Sequence, residues 1–502
     1  MLFILFTNQT YLPEKMQNLQ LILFLLIFLV MAGSMFLRKI PALLALPLMA
    51  FLIPLAGGVD LDSTIQLVIG EGALKLHNAY TVAIFGSMLS ILLQKTGVAE
   101  SFIKKGAELA GDNPWTIGVL MMILITLLFT TLGGLGAIIM VATIVLPIMS
   151  SIGIGPMTVV GIFLIGLSMG GILNAGNWAV YVDVMGLTVE EIRPFALTMF
   201  AITFVAALLY ITIQLYRDGH DLRWKRIGWG AAIFLALIVV AATLYLNAGD
   251  AARAWLARLF DILSGGLSWL VGIGLALLAL LVIIRFVRSL RSHSREIYWA
   301  AYFTPLVPLL LILVFAMNFI AAFICGLIYG FMATYRKGSL NTLVQSVLEG
   351  GAVVMPAVAL MLGIGMLLNA IIGPGPSWSG EWPVLTLLRP LLLEIVPEQS
   401  WSYVLLFGLA APLALYRGPL NVWGMGYGLA AVFLASGMQP GAVMGVLLAV
   451  GQVQGISDPT NTHNVWLANE MQQDVQKVLW NTIPYTWAVA VVGLIAAALI
   501  FY

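Results

Sequence analysis

The chain has 502 residues, of which 61% are apolar and 9% charged, with a formal net charge of +1. An average soluble domain is roughly 25% charged; with a mean hydropathy of +1.04 this chain takes lipid as its solvent, and a water-soluble fold is excluded. Its basic residues sit in short clusters between apolar runs, which argues against a nucleic-acid partner.

Apolar runs of about 20 residues suffice to cross a hydrocarbon core of ~30 Å as helices. They predict an all-α polytopic membrane protein with about 12 transmembrane helices plus two re-entrant hairpins. In chain order the candidate spans fall at 21–37, 40–57, 79–97, 155–183, 195–216, 227–247, 264–287, 299–317, 318–334, 352–373, 440–466 and 479–502. The first resembles a secretory signal in its apolar body and small residues, but the repeat described next makes it a retained helix. Two further stretches, 114–150 and 401–437, are too long for one helix and are interrupted at Thr130 to Gly136 and Tyr416 to Asn421, so each is expected to be a re-entrant hairpin. Cys325 lies inside an apolar run, has no intramolecular disulfide partner, and is expected to be a small packing residue.

An internal repeat organises these elements. A shift of 284 positions places Gly134 on Gly418, Gly153 on Gly437, Pro156 on Pro440, Ile172 on Ile456, Asn174 on Asp458 and Asn177 on Asn461. A shift of 278 places Glu71-Gly72 on Glu349-Gly350 and Met88 on Met366. The division expected is repeat 1 over 1–217, with hairpin 114–150 and broken helix 155–183; a bridging helical hairpin over 218–297; and repeat 2 over 298–502, with hairpin 401–437 and broken helix 440–466. Lys and Arg accumulate in cytoplasmic loops. One topology, with the N-terminus outside, puts Arg38-Lys39, Lys104-Lys105, the clusters at 217–226 and 285–295, and Arg336-Lys337 all inside, so the halves are expected to be inverted.

Unwound backbone survives at membrane depth only where protein or a water-filled cavity satisfies its polar groups. The breaks expected at Thr130 to Gly136, Asn174 to Asn177, Tyr416 to Asn421 and Ser457 to His463 therefore mark a cavity. Half-helix N-termini at such breaks suit an anion, and freed carbonyls suit a cation. Asp458 is a candidate for a coupling proton or sodium ion, or for an N-cap on the following half-helix. Arg417 at a hairpin tip predicts an anionic substrate held bidentately, unless it snorkels to an interface. Glu71 and Glu349 suggest dipole complementation near helix starts, Asp183 a solvated helix end, and His463 a proton shuttle or a hydrogen-bonded structural group. No enzyme is expected: Gly166-Leu-Ser-Met-Gly170 matches a nucleophile elbow only in spelling, because it lies inside a membrane helix, and no motif for phosphate or metal binding is present.

Thr96-Gly-Val-Ala-Glu100 with the basic amphipathic arm after it, the first hairpin ending near Pro147, and Ser457-Asp-Pro-Thr-Asn-Thr462 together resemble the ion transporter superfamily, which includes citrate, gluconate and dicarboxylate carriers and some sodium/proton exchangers. The resemblance implies paired hairpin tips and unwound helices forming the substrate and cation sites. Carried over with the breaks, it names Thr131, Gly133, Gly134, Asn174, Asn177, Arg417, Gly418, Asn421, Thr460 and Asn461 for substrate, and Ser457, Asp458, Thr462 and His463 for a coupling ion. It also implies sodium near Asn174 and Asp458 or a proton as the coupling ion, no other cofactor, and a homodimer in a prokaryotic cytoplasmic membrane. The tips here, Thr130-Thr-Leu-Gly-Gly134 and Arg417-Gly-Pro-Leu-Asn421, depart from the Ser-Asn-Thr of many dicarboxylate carriers. The reading is a cation- or proton-coupled symporter of a small organic anion, with a sodium/proton exchanger and a non-transporting scaffold or channel as alternatives.

Overall fold

A computed structural model of the chain describes residues 14–37, 39–221, 250–290, 297–388, 397, 399–422 and 426–502. The predicted span 227–247 lies outside the described residues, as do Arg38, most of the basic cluster following Arg217, the end of the 285–295 cluster and residues 423–425 of the second hairpin. Among the described residues there is no strand, and the protein is an all-α polytopic membrane protein.

The first half runs α1 (Glu14–Phe36), α2 (Ala42–Ala56), a π-helical stretch Thr64–Glu71 between two short turns of α-helix, α3 (His77–Lys95), α4 (Val98–Ala110), α5 (Pro114–Phe129), α6 (Leu135–Ser151), α7 (Pro156–Ile172), α8 (Ala175–Met185) and α9 (Val189–Arg217). After α10 (Asp250–Ser289), the second half runs α11 (Leu306–Phe315), α12 (Phe319–Ala333), α13 (Ser339–Ile372), α14 (Ser400–Ala410), α15 (Tyr427–Ala435), α16 (Pro440–Ser457), α17 (Thr462–Glu470) and α18 (Val475–Phe501).

Six helical segments among the described residues are long and apolar enough to cross a membrane, and α7 with α8, bent by 46° at their break, makes a seventh. Six shorter apolar helices of 10–17 residues account for α1, α2, both arms of the first hairpin, α11 and α12. At 1.5 Å per residue a 15-residue helix such as α2 reaches about 22 Å, short of a full core.

Two predicted spans were drawn too short. The stretch before residue 79 is helical from Leu61, and α13 begins at Ser339 rather than 352. Polar residues such as Gln66, Glu71, Asn341 and Glu349 hid these turns from a hydropathy reading. Glu349 is therefore inside a helix and not near its start, where it pairs with Lys95 at 2.8 Å. Cys325, expected to pack inside, is exposed on α12, because in a membrane protein an apolar run also supplies the lipid-facing surface.

The two halves meet at positions that the sequence shift of 278 relates. A Cβ built on Gly72 would stand 2.7 Å from Met366 Cα, and one built on Gly350 would stand 2.6 Å from Met88 Cα. Ser168 and Gln452, 284 positions apart, are hydrogen-bonded to each other at 2.8 Å. Gly153 and Gly437 both end a helix with positive φ, +85° and +88°, a conformation glycine takes without a Cβ penalty.

A polar tie fixes the broken helix of the first half to the last helix of the second. The Tyr210 hydroxyl of α9 donates to Asn481 Oδ1 of α18 at 2.7 Å and lies 3.3 Å from the carbonyl of Met157 in α7. Single interhelical hydrogen bonds in membranes contribute on average ~0.6 kcal/mol. Tyr210→Phe is expected to lower stability by about 0.5–1.5 kcal/mol in a thermal unfolding series in detergent. An unchanged midpoint would remove this tie from the packing of α9.

Candidate functional site

The helix breaks are built by sequence features that deny the backbone its regular partners. In the first half, α7 stops at Ile172 and α8 starts after Asn174, whose Oδ1 accepts from the Gly176 N–H at 2.9 Å as an N-cap. Its amide also donates to the Phe129 carbonyl at 3.1 Å, tying the break to the end of the first hairpin arm. Asn177 donates to the Gly171 carbonyl at 2.8 Å, satisfying a group freed by the break.

The second half repeats this with the polarity reversed. Asp458 has φ −71° and ψ 113°, nearly the −73° and 123° of Asn174. Its carboxylate is fully buried. It accepts four hydrogen bonds: from the Tyr416 N–H at 3.0 Å, Asn421 Nδ2 at 3.3 Å, and the Thr460 N–H and hydroxyl at 2.9 and 2.7 Å. Whereas Asn174 donates to its hairpin, Asp458 receives from its own. The N-cap position of α17 is held by Asn461 and not by Asp458; Asn461 makes no side-chain cap there and instead donates its side chain back to the Gln454 carbonyl at 2.7 Å.

Both breaks and both hairpin tips border one cavity of about 930 Å³, within the range of ligand sites. Gly133, Gly134, Asn174 and Asn177 line it from the first half, and Arg417, Asn421, Asn461, Thr462 and His463 from the second. Arg417 is exposed to it and forms no ion pair among the described residues. No carboxylate is among the lining residues.

The remaining predicted residues lie behind this wall. Thr131 is buried, with its hydroxyl near the Leu128 carbonyl at 3.3 Å. Gly418 packs so closely on the Leu413 carbonyl that no side chain fits there. Thr460 serves Asp458, and the Ser457 hydroxyl sits 2.8 and 2.9 Å from those of Thr482 and Thr486. His463, in the wall itself, points a ring nitrogen at the Gly455 carbonyl, 3.3 Å away. Asp183 does not end free in solvent: it accepts from Asn78 Nδ2 at 2.9 Å and the Ala79 N–H at 3.0 Å, at the start of α3.

Several lining residues were not read from the sequence as site residues, Ser168 entering only through the rejected nucleophile-elbow match. Ser168, Gln452 and Gln454 stand inside apolar helices, and Tyr181 and Tyr427 add aromatic surface. The two glutamines carried a signal, since a polar side chain inside a buried membrane helix faces the interior. Gln454 Oε1 accepts from the Val422 N–H at 2.7 Å, just beyond the second hairpin tip. A smaller cavity of about 220 Å³ lies apart, between the end of α13 and Trp382.

No protein-family model matches the chain, and no curated protein matches it by sequence. Among solved structures it is similar to MtrF of Neisseria gonorrhoeae, described with a class of antimetabolite efflux pumps, at 14% identity and a TM-score of 0.45 over 99% of this chain and 96% of that one. It is also similar to the YdaH transporter of Alcanivorax borkumensis, which has an unusual topology, at 13% identity and a TM-score of 0.52 over 97% of this chain and 98% of that one, so that the two share a fold along nearly their whole length.

Proposed function

We propose that this chain is a secondary active transporter that moves a small organic anion of the carboxylate class, coupled to protons or a cation. The observation that carries the reading is the single cavity bordered by both breaks and both tips, with Arg417 exposed to it and no carboxylate among its lining residues. A guanidinium in a partly desolvated site binds a carboxylate through paired charge-assisted hydrogen bonds. The fold shared with a solved transporter agrees with transport, and the motifs around Ser457 to Thr462 agree with a place near the ion transporter superfamily.

Two inverted repeats over 1–217 and 298–502 belong to the same proposal. The reciprocal approach of Gly72 to Met366 and of Gly350 to Met88 is what a two-fold relation between halves produces, because residue i then meets j′ wherever j meets i′. In such transporters the site lies between the repeats and one repeat moves against the other. A prokaryotic cytoplasmic membrane and a homodimeric assembly rest on the resemblance alone.

The test is uptake by purified protein in proteoliposomes, with a panel of mono-, di- and tricarboxylates and imposed proton or sodium gradients. Gradient-dependent accumulation of at least one carboxylate is expected. Cation exchange without any organic anion would instead indicate an exchanger, and no saturable flux a scaffold or channel. Asp458→Asn is nearly the same size but carries no acidic group, so it is expected to abolish gradient-driven accumulation; full gradient-driven uptake by this variant would refute a coupling role for the carboxylate.

A further inference from the structure

The tip of the second hairpin is strained. After the short 3₁₀ turn beginning at Ala411, Leu415 is extended, with ψ 159°, and Tyr416 and Arg417 follow in the left-handed region, with φ 54° and 57°. Each such residue with a Cβ is disfavoured by about ten-fold or more. The shift of 284 puts Thr131, Leu132 and Gly133 of the first hairpin on these three positions, and none of them has a positive φ; the positive φ of that tip falls one residue later, on Gly134, at +83°. The first tip thus places its positive φ on a glycine, whereas the second places two on adjacent L residues, one of them the arginine of the cavity.

Something must hold that shape, because strain persists only where surrounding structure over-determines it. The group placed to do so is Asp458. Its Oδ1 takes the Tyr416 N–H, the first left-handed residue, and its Oδ2 takes Asn421 Nδ2, at the far side of the turn. Asn421 also donates to the Ala414 carbonyl at 3.2 Å, so the carboxylate grips the tip on both flanks. Thr460 fixes the carboxylate in turn through its N–H and hydroxyl. Only a group that accepts on both oxygens meets these donors; an amide would turn its own NH₂ against that of Asn421 or against the Tyr416 N–H.

We infer that Asp458 is the positioning residue for Arg417: its buried carboxylate clamps the second hairpin tip in the left-handed conformation that presents the guanidinium to the cavity. The part played by Arg417 rests on the anion reading above, but the clamp does not, and the two are tested separately. The clamp is also distinct from an ion-carrying role, since it predicts rescue by a backbone change that restores no charge.

Amide hydrogen exchange over residues 413–421 of the full-length protein in detergent reads the clamp without any substrate. Asp458→Asn is expected to speed exchange there about ten-fold, with exchange in Pro156–Ile172 unchanged as the check on folding. Adding Tyr416→Gly removes the left-handed penalty and should recover most of the protection. Adding Tyr416→Ala should not, although both lose the bond from the Tyr416 hydroxyl to Gln476. Citrate binding by calorimetry should follow the same order across these variants. Unchanged exchange in Asp458→Asn, or equal behaviour of the glycine and alanine double variants, would overturn the clamp. The expected exchange pattern without any citrate binding would leave the clamp standing and count against the anion reading.

Discussion

Arg417→Lys is expected to weaken carboxylate binding by about ten-fold, and Arg417→Ala by more. Charge-assisted hydrogen bonds contribute roughly 1.5–3 kcal/mol each, and each ~1.4 kcal/mol is a factor of ten in affinity. Lysine keeps the charge but loses the planar fork that holds both carboxylate oxygens, and alanine loses both. The effect should fall on binding and not on folding, because Arg417 is exposed to the cavity and forms no ion pair among the described residues. Calorimetry or ligand-induced thermal shift with wild type and the two variants checks this. An arginine that only reached toward an interface would accept lysine silently, since an ammonium gets there as well. Equal affinity in all three forms would take Arg417 out of the site and remove the main argument for an anionic substrate.

The second large effect concerns stability. At Gly350 a methyl would meet Met88 Cα at 2.6 Å, Met88 N at 2.7 Å and the Ser87 carbonyl carbon at 3.0 Å, all of them backbone atoms of α3. No rotamer change relieves such a contact, so α3 and α13 must separate, and overpacking of this kind costs about 1–3 kcal/mol. Gly350→Ala is therefore expected to lower the melting temperature by several degrees, although alanine is the better helix former by about 1 kcal/mol. Its neighbour Gly351 has nothing within 4 Å of an added Cβ, so Gly351→Ala should be neutral or mildly stabilising. Gly72→Ala faces Met366 Cα at 2.7 Å and should resemble Gly350→Ala, because this contact too is with backbone. Thermal unfolding of the three variants in one detergent decides the matter; equal midpoints for Gly350→Ala and Gly351→Ala would show that the helices are not pressed together at this crossing.

By itself the sequence determined the solvent, the class of fold and the places where helices fail. Hydropathy is a local property, so the apolar runs identify membrane helices without knowledge of their neighbours. The Asn174 and Asp458 breaks were legible because polar residues, glycine and proline interrupt an apolar run that lipid would not tolerate. The tertiary structure decided what those residues touch. Tyr416 and Asp458 are 42 positions apart and Ser168 and Gln452 are 284 apart, and nothing local to either partner announces such a bond. The same limit explains the errors. Glu349 read as a helix start because its charge interrupts the apolar run, but Lys95 from another helix compensates it in the interior of α13. For Asp458 the sequence offers a carboxylate in a break, and with it a cap or an ion site. Only the folded chain brings donors from the hairpin tip to both of its oxygens, because their geometry depends on how two distant segments pack.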